Sequence, residues 1–263
     1  MTDFFKELYK KCSPKLLKYK EYKKKLVITY PITSGNEYKY ILKKVVASTW
    51  CNFDLQFLEE PIAALHTVPY LSESHTTDPE SHTIDPGSRW LLVFDGGAGT
   101  SDIVLVEIQK NGGFNIAQRL GSNECCGNKV NAMLLQTLLE NASVTLDSNQ
   151  TMELLQCIDT WKVKGRLAIP ITLHQLGGKL AKLTRTNVES VYDELLRTLF
   201  SRTEMYDMIK KILKAGTKIK LGEIGGFTRN ESFRIIMRSI FGSELSFIDD
   251  RINNVSIILF MES

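Results

Sequence analysis

The chain has 263 residues, of which 43% are hydrophobic and 24% are charged, so it is long enough to bury a sizeable core in two lobes. Its 33 basic and 30 acidic residues leave a net charge of +3, which excludes a global attraction to nucleic acid or to a membrane surface. The five cysteines lack metal-ligand spacing, and no apolar run approaches about 18 residues, so we expect a cytoplasmic protein with reduced thiols.

The first predicted elements form a strand-helix-strand unit. Residues Phe4 to Lys25 are rich in lysine with interspersed apolar residues, which is typical of a helix with a basic solvated face, interrupted at Ser13-Pro14. A strand is predicted from Leu26 to Tyr30. Apolar residues then recur at helical spacing up to Thr49, and a short strand follows over Leu55 to Leu58. We expect the connection between the two strands to cross over with the right-handed sense.

A seven-residue repeat interrupts this pattern between residues 73 and 86. Glu73-Ser-His-Thr-Thr-Asp-Pro79 recurs almost unchanged as Glu80-Ser-His-Thr-Ile-Asp-Pro86. The two histidines and two aspartates of the repeat could bind a metal ion. The repeat is polar, contains two prolines and has no apolar face, however, so a surface loop or linker made by duplication is the favoured interpretation.

The sequence from Trp90 to Val106 is the most informative stretch for function. An apolar strand ends at Asp95, a turn follows through Gly96, Gly97 and Gly99, and a second apolar strand begins near Asp102. Glycines let a polyphosphate approach backbone N–H groups, and the carboxylates can hold water bound to magnesium. The alternative is a hairpin whose glycines only make the turn. A Rossmann fingerprint is excluded because a strand, and not a helix, follows the glycines.

The remaining elements complete an alternation of strands and helices. A third antiparallel strand is predicted from Phe114 to Leu120, and a second strand-to-turn unit ends in Gly225-Gly226. Helices are predicted over Lys129 to Glu140, Asn187 to Phe200, Thr203 to Ala215 and Glu231 to Phe241. We expect Thr203 to cap the third of these helices. The strand that leads to the second glycine turn is predicted from Lys218 to Ile224.

Four motifs, in this order along the chain, resemble those of the seventy-kilodalton heat-shock (DnaK-type) chaperone family. Leu26-Val-Ile-Thr-Tyr-Pro31 is similar to the family's strand ending in a Val-Pro turn, and Glu59-Glu-Pro-Ile-Ala-Ala-Leu65 to its Asn-Glu-Pro-x-Ala-Ala helix start. Asp95-Gly-Gly-Ala-Gly-Thr-Ser-Asp102 is similar to its second phosphate loop. Ile224-Gly-Gly-Phe-Thr-Arg229 resembles its adenosine-binding Gly-Gly-x-Thr-Arg turn. The resemblance covers roughly residues 26 to 242.

The resemblance implies an α/β protein with the actin-like ATPase (ribonuclease H-like) fold. On this interpretation residues 1–68 are the remaining half of lobe I, and residues 69–88 are a linker that carries the repeat. Residues 89–125 and 203–263 would form the core of lobe II, and residues 126–202 its helical subdomain. We therefore expect a partial first lobe and a second lobe that closes over the adenine.

The resemblance also implies a nucleotide site for ATP or ADP with Mg²⁺. The residues it places at the reacting phosphate are Glu60, Asp95, Thr100 and Asp102, and the two aspartates would also lie beside the metal ion. The residues it places against the rest of the nucleotide are Gly96, Gly97, Ala98, Gly99, Lys164, Gly225, Gly226 and Arg229. Arg166 is a second candidate beside Lys164 in a segment similar to the family's Glu-x-x-Lys-Arg helix.

Several departures from the family pattern limit the expected activity. The family's first phosphate loop, Asp-x-Gly-Thr-Thr, and its catalytic lysine have no counterpart in the sequence, and Ala98 replaces a family glycine. We expect a truncated or degenerate relative that binds ATP with weak or no hydrolysis and whose partners are unfolded-protein clients or co-chaperones. The alternative is a non-enzymatic interaction protein that keeps the fold without a working site. A sugar or acetate kinase of the same superfamily is disfavoured because the motifs at Glu60 and Gly225 are closer to the chaperone branch.

Overall fold

The fold was analysed in a computed structural model that describes residues 2–16, 23–65, 90–109, 113–143, 145–163, 183–248 and 257–262. Within these ranges the chain is a mixed α/β protein with two sheets. The helices are α1 Thr2–Leu16, α2 Asn36–Thr49, α3 Glu60–Leu65, α4 Gly127–Ala142, α5 Ser148–Val163, α6 Arg185–Phe200, α7 Glu204–Lys214 and α8 Glu231–Phe241. The strands are β1 Lys23–Tyr30, β2 Asp54–Glu59, β3 Trp90–Gly96, β4 Ser101–Ile108, β5 Phe114–Ser122, β6 Ile219–Ile224, β7 Leu245–Phe247 and β8 Ile257–Glu262.

The first sheet contains three strands in the order β2-β1-β8. Strands β1 and β2 are parallel and are joined through α2, which confirms the predicted strand-helix-strand unit. Strand β8 pairs antiparallel with β1, from Lys23 opposite Glu262 to Ile28 opposite Ile257. The sequence interpretation placed residues 203–263 together in the second lobe, whereas residues 257–262 join the first sheet. Such a pairing between distant segments leaves no local signal in the sequence.

The N-terminal helix differs from its prediction at both the proline and its end. Helix α1 continues through Pro14 to Leu16, and Lys23 to Lys25 belong to strand β1 instead of the helix. Proline removes one backbone N–H and one hydrogen bond to the preceding turn. Because Pro14 lies in the last turn of α1, few hydrogen bonds are lost there, and the helix continues for two further residues.

The second sheet contains five strands in the order β5-β4-β3-β6-β7. The hairpin β3-β4 and the third strand β5 are antiparallel, and β6 runs parallel to β3. One face, which includes Leu92, Phe94, Ile103 and Leu105, packs against a large cluster formed with α4 to α8. The opposite face of β3 and β4 packs against α3. Both faces of β3 and β4 are therefore buried, which explains their nearly continuous apolar sequence.

Helix α3 joins the two sheets. Its residues from Pro61 to Leu65 are all buried, and Ile62, Ala64 and Leu65 pack against β3 and β4. Beyond α3, the guanidinium of Arg119 on β5 lies 2.8 Å from the carboxylate of Glu59 at the end of β2. The ends of β1 and β2 are thus held against the second sheet next to the glycine hairpin.

Three of the helices after β5, α6 to α8, begin next to residues that cap them, whereas α4 extends two residues beyond its predicted range at both ends. Thr203 caps α7 by accepting a hydrogen bond from the Tyr206 N–H, as expected. Helix α6 begins two residues earlier than predicted because Thr184 and Asn187 form a reciprocal capping box. Helix α8 spans Glu231–Phe241 as predicted, with the Asn230 side chain accepting from the Ser232 N–H.

Candidate functional site

The structure brings the two predicted aspartates together at one end of the second sheet. Asp95 on β3 and Asp102 on β4 are directly opposite each other in the hairpin register, so both side chains lie on the same face. On the other side of β3, Asp95 is level with Ile224 at the end of β6. The Gly225-Gly226 turn therefore begins beside the hairpin, and residues that are distant in sequence converge at this edge.

Two of the predicted glycines lie against each other where β3 and β6 end. Gly225 has a φ of +81°, and a Cβ added there would lie 2.3 Å from the carbonyl oxygen of Gly96. A Cβ on Gly96 would in turn lie 2.8 Å from the side chain of Phe227. These two glycines are thus required for the close approach of two backbones, in addition to any part they take in binding.

The turn of the hairpin rests on the beginning of α4. The Gly97 N–H donates to the carbonyl oxygen of Thr100 at 2.8 Å and closes the turn. The N–H groups of Gly127 and Asn128 donate to the carbonyls of Gly97 and Ala98, respectively, at 3.0 and 2.8 Å. The first N–H groups of α4 are therefore used within the protein. Ala98 and Gly99, at the tip, are exposed, and their N–H groups donate no backbone hydrogen bond within the described residues.

Asp102 is a buried carboxylate with one free oxygen. Its side chain is 1% exposed, and its Oδ1 accepts a hydrogen bond from the Ile32 N–H at 2.7 Å. Oδ2 is buried and accepts no hydrogen bond from the described part of the chain. Burial raises the pKa of Asp102, although hydrogen bonding by the Thr100 hydroxyl and by the backbone N–H groups of Ile32 and Thr33 opposes the rise.

Glu60 and Asp95 complete a group of three carboxylates that repel one another. Burial raises the pKa of Asp95 to about 6, with a further contribution from the charge of Asp102. Burial also raises the pKa of Glu60 to about 7, and both aspartates add to this effect. Within the described part of the chain no cation lowers these two pKa values, so the three carboxylates repel one another when ionised. Protons or a divalent cation would relieve that repulsion.

A magnesium ion fits this site only if other ligands complete its coordination. Among the described residues, no three His, Cys, Asp or Glu side chains are arranged to hold a metal ion directly. Magnesium, however, is commonly held by one or two carboxylates together with water and substrate phosphates. The free Oδ2 of Asp102 and the raised pKa of Asp95 fit that mode of binding.

The second glycine turn places Arg229 near this edge of the sheet. Residues Phe227 to Arg229 form a short 3₁₀ helix, with Arg229 exposed and Phe227 and Thr228 buried. The Thr228 hydroxyl donates to the carbonyls of Ile224 and Gly225 at 3.0 and 3.1 Å, which fixes the turn. Gly226 has open space around the position of a Cβ. Lys164, Arg166 and the residue 73–86 repeat lie outside the described residues.

Sequence reasoning missed the residues that connect the two sheets at this site. Ile32 and Thr33, which follow β1, reach Asp102 and Gly121 although 70 residues separate Ile32 from Asp102. Gly121 lies opposite Asp102 on β5, where a Cβ would come within 2.8 Å of the Thr33 side chain. Gly121 comes directly after the predicted strand Phe114 to Leu120, and a glycine at that point was the only signal of this close contact.

No protein-family model matches this chain, and no curated protein sequence matches it. Among the described residues, no helix has both the length and the apolar character needed to cross a membrane.

Proposed function

We propose that this chain binds ATP or ADP together with Mg²⁺ at the β3-β4 hairpin, as a relative of the seventy-kilodalton heat-shock chaperones with an actin-like ATPase fold. The observation that carries the proposal is the carboxylate of Asp102, which is buried with one oxygen free beside two further acidic groups of raised pKa. Burying such a group without a partner costs free energy, and sites of this kind are typically functional. A nucleotide-bound cation would supply the missing positive charge.

Each predicted residue has a distinct part in this proposal. The exposed tip, Ala98-Gly99, offers backbone N–H groups to the phosphates, and Asp95 and Asp102 orient water molecules around the metal ion. Bound magnesium would neutralise phosphate charge. Arg229 stacks on the adenine, and the Gly225-Gly226 turn lets the base approach the backbone. Glu60 lies at the start of α3, at the junction between the two sheets. The charge of its carboxylate therefore responds to the presence of the phosphates and links their state to the position of the sheets.

The expected turnover is weak or absent. Phosphoryl transfer depends on positioning and on neutralising charge around the transferred group. The hairpin supplies acidic groups and backbone donors, and Ala98 stands where the family has a glycine, which narrows the room for phosphate oxygens. We further propose a cytoplasmic role with unfolded-protein clients or co-chaperones as partners.

Isothermal titration with ATP and magnesium tests this proposal. Wild-type protein should bind saturably, and the double variant Asp95→Asn, Thr100→Ala should lose binding because it removes one metal-facing charge and the hydroxyl beside Asp102. Asp54→Asn is the matched control, since Asp54 is an exposed carboxylate at the beginning of β2. Absence of binding heat from wild-type protein with an intact circular dichroism spectrum would refute the proposal.

The second candidate function is an interaction protein that keeps the fold without binding nucleotide. It is favoured because N–H groups that could donate hydrogen bonds to a phosphate are already used within the protein. The first N–H groups of α4 donate to carbonyls of the hairpin, and the Ile32 N–H donates to Asp102. On this account the hairpin is a structural turn. The same titration separates the two candidates, because only the first predicts saturable binding that depends on Asp95.

A further inference from the structure

A long groove lies between α4 and α6, and one end of it reaches Gly121, which pairs with Asp102. It consists of two adjoining cavities of about 600 Å³ and about 380 Å³, which share Met133, Gln136 and Glu194 in their walls. At one end of the groove, Lys129 near the start of α4 lies across from Leu199 near the end of α6. At the other end, Glu140 near the end of α4 lies across from Asn187 near the start of α6. The two helices therefore run antiparallel along its sides.

The dimensions of the groove suit a third helix. Its wall on α4 extends over twelve residues, from Lys129 to Glu140, and the eleven steps between them correspond to about 16 Å, or three turns, at the rise of an α-helix. The larger cavity is mainly apolar and includes Leu120, Met133 and Leu195, whereas the smaller cavity is lined mainly by polar side chains such as Gln136, Thr137 and Asn187. Amphipathic helices bind to grooves of this kind through apolar residues spaced three and four positions apart.

The rim of the groove is acidic. Glu124 is paired with Lys129 at 3.0 Å, which cancels one negative charge. Glu140 accepts a hydrogen bond from the neutral Gln136 amide at 2.9 Å and keeps its charge. Glu194 makes no ion pair with any residue that the structure describes. Two carboxylates therefore remain uncompensated, so the groove favours a helix that carries both apolar and basic side chains.

Helix α2 of this chain has that chemistry on its outer face. Among the described residues, five large hydrophobic side chains are exposed, and three of them are Tyr38, Tyr40 and Ile41, with 41%, 58% and 43% exposure. Lys43 and Lys44 are exposed beside them, and the Lys44 ammonium lies 4.5 Å from the centre of the Tyr40 ring. An exposed cluster of aromatic and apolar residues is typical of an interaction surface.

The opposite side of α2 is already occupied. Leu42, Val46 and Trp50 are buried against the first sheet and α1. The exposed residues therefore have no part in holding α2 in place. Because α2 spans 14 residues, or about 21 Å, it is long enough to extend along the whole groove wall of about 16 Å.

We propose that the outer face of α2 in one copy of this chain binds in the α4–α6 groove of a second copy. Tyr38 and Ile41, three positions apart on α2, enter the apolar end of the groove, and Lys44, three positions after Ile41, lies against Glu194. The two contacting surfaces differ, so every bound copy retains one free helix face and one free groove. Such head-to-tail contacts form rings when the rotation closes and open chains when it does not. This association does not depend on nucleotide.

Light scattering and sedimentation of the purified full chain over a range of concentrations test the proposal. The wild-type mass should increase with concentration. A helix variant, Tyr38→Ala with Ile41→Ser, and a groove variant, Glu140→Lys with Glu194→Lys, should each associate at least about tenfold more weakly because each removes one contacting surface. Met152→Ser is the matched control, since Met152 is 58% exposed on α5 and outside both surfaces. It should behave as the wild type does.

Mixing the helix variant with the groove variant is the decisive experiment. The intact helix of the groove variant should bind the intact groove of the helix variant, which gives a 1:1 dimer that cannot grow. A wild-type protein that stays monomeric at high micromolar concentration would overturn the proposal, even if the groove binds a basic helix of a different protein. A mixture that stays monomeric while both variants show native circular dichroism would overturn it as well.

Discussion

Replacing Asp95 by asparagine should stabilise the protein without ligand at neutral pH. Asp95 is part of the carboxylate group at the end of the second sheet, and its pKa is raised from the usual 3.8 to about 6, mainly because of burial and then because of the charge of Asp102. The ionised form is therefore disfavoured in the folded state. Asparagine has nearly the same shape and no charge, so it removes this cost.

The magnitude follows from the rise in pKa. A rise from 3.8 to about 6 corresponds to about 3 kcal/mol of disfavoured ionisation. Relaxation and the new amide hydrogen bonds reduce the effect, so we expect Asp95→Asn to increase the free energy of unfolding by about 1–2 kcal/mol near neutral pH.

The size of the effect depends on pH. Between about pH 4 and pH 6 the folded chain keeps a proton on Asp95 that the unfolded chain has lost. The contribution of this proton to stability is complete below that range and is lost as the pH rises through the folded pKa. The advantage of the variant should therefore be largest at about pH 8 and nearly disappear at about pH 4.

Urea unfolding of the wild type and the variant at these two pH values measures the difference. Asp54→Asn is the matched control and should change stability little at either pH, since Asp54 is exposed. A variant that is less stable than the wild type near neutral pH would refute the reasoning. So would a stabilisation of equal size at both pH values, because it would not come from the charge.

Three further predictions concern the same region. Binding of ATP with magnesium should strengthen from about pH 6 to pH 8, because the pKa of Glu60 is raised to about 7 and the cation competes with its proton; titration calorimetry at both pH values would show this. Gly225→Ala should destabilise the chain by more than about 2 kcal/mol in urea unfolding, because φ is +81° and a Cβ there meets a carbonyl oxygen, whereas Gly226→Ala should cost under about 1 kcal/mol. Tyr192→Phe should cost about 1–2 kcal/mol in thermal unfolding because the buried Phe227 carbonyl loses its 2.9 Å hydrogen bond.

Local signals account for the parts of the fold that the sequence predicts well. Helix α7 begins at Thr203 and helix α8 at Asn230, because each cap satisfies N–H groups of its own first turn. The hairpin likewise places Asp95 opposite Asp102 through the two-residue period of antiparallel strands. These features depend on neighbouring residues alone and can be derived without knowing the rest of the chain.

Contacts between distant segments account for what the sequence did not predict. The pairing of β8 with β1 and the hydrogen bond from Ile32 to Asp102 join residues that no local pattern connects. The raised pKa of Glu60 arises in the same way, because α3 brings it to two aspartates on the other sheet. The sequence could identify the acidic residues of the site, and only the tertiary arrangement shows that they repel one another.

The most direct test of the central claim is a magnesium–ATP titration followed by the backbone amide signals of the protein in nuclear magnetic resonance. The claim predicts saturable shifts at Gly97, Gly99 and Gly226, which are the hairpin and turn glycines, and no shifts for Asp95→Asn, Thr100→Ala at the same nucleotide concentration. Unchanged signals from these three glycines at millimolar magnesium–ATP in the folded wild-type chain would contradict it.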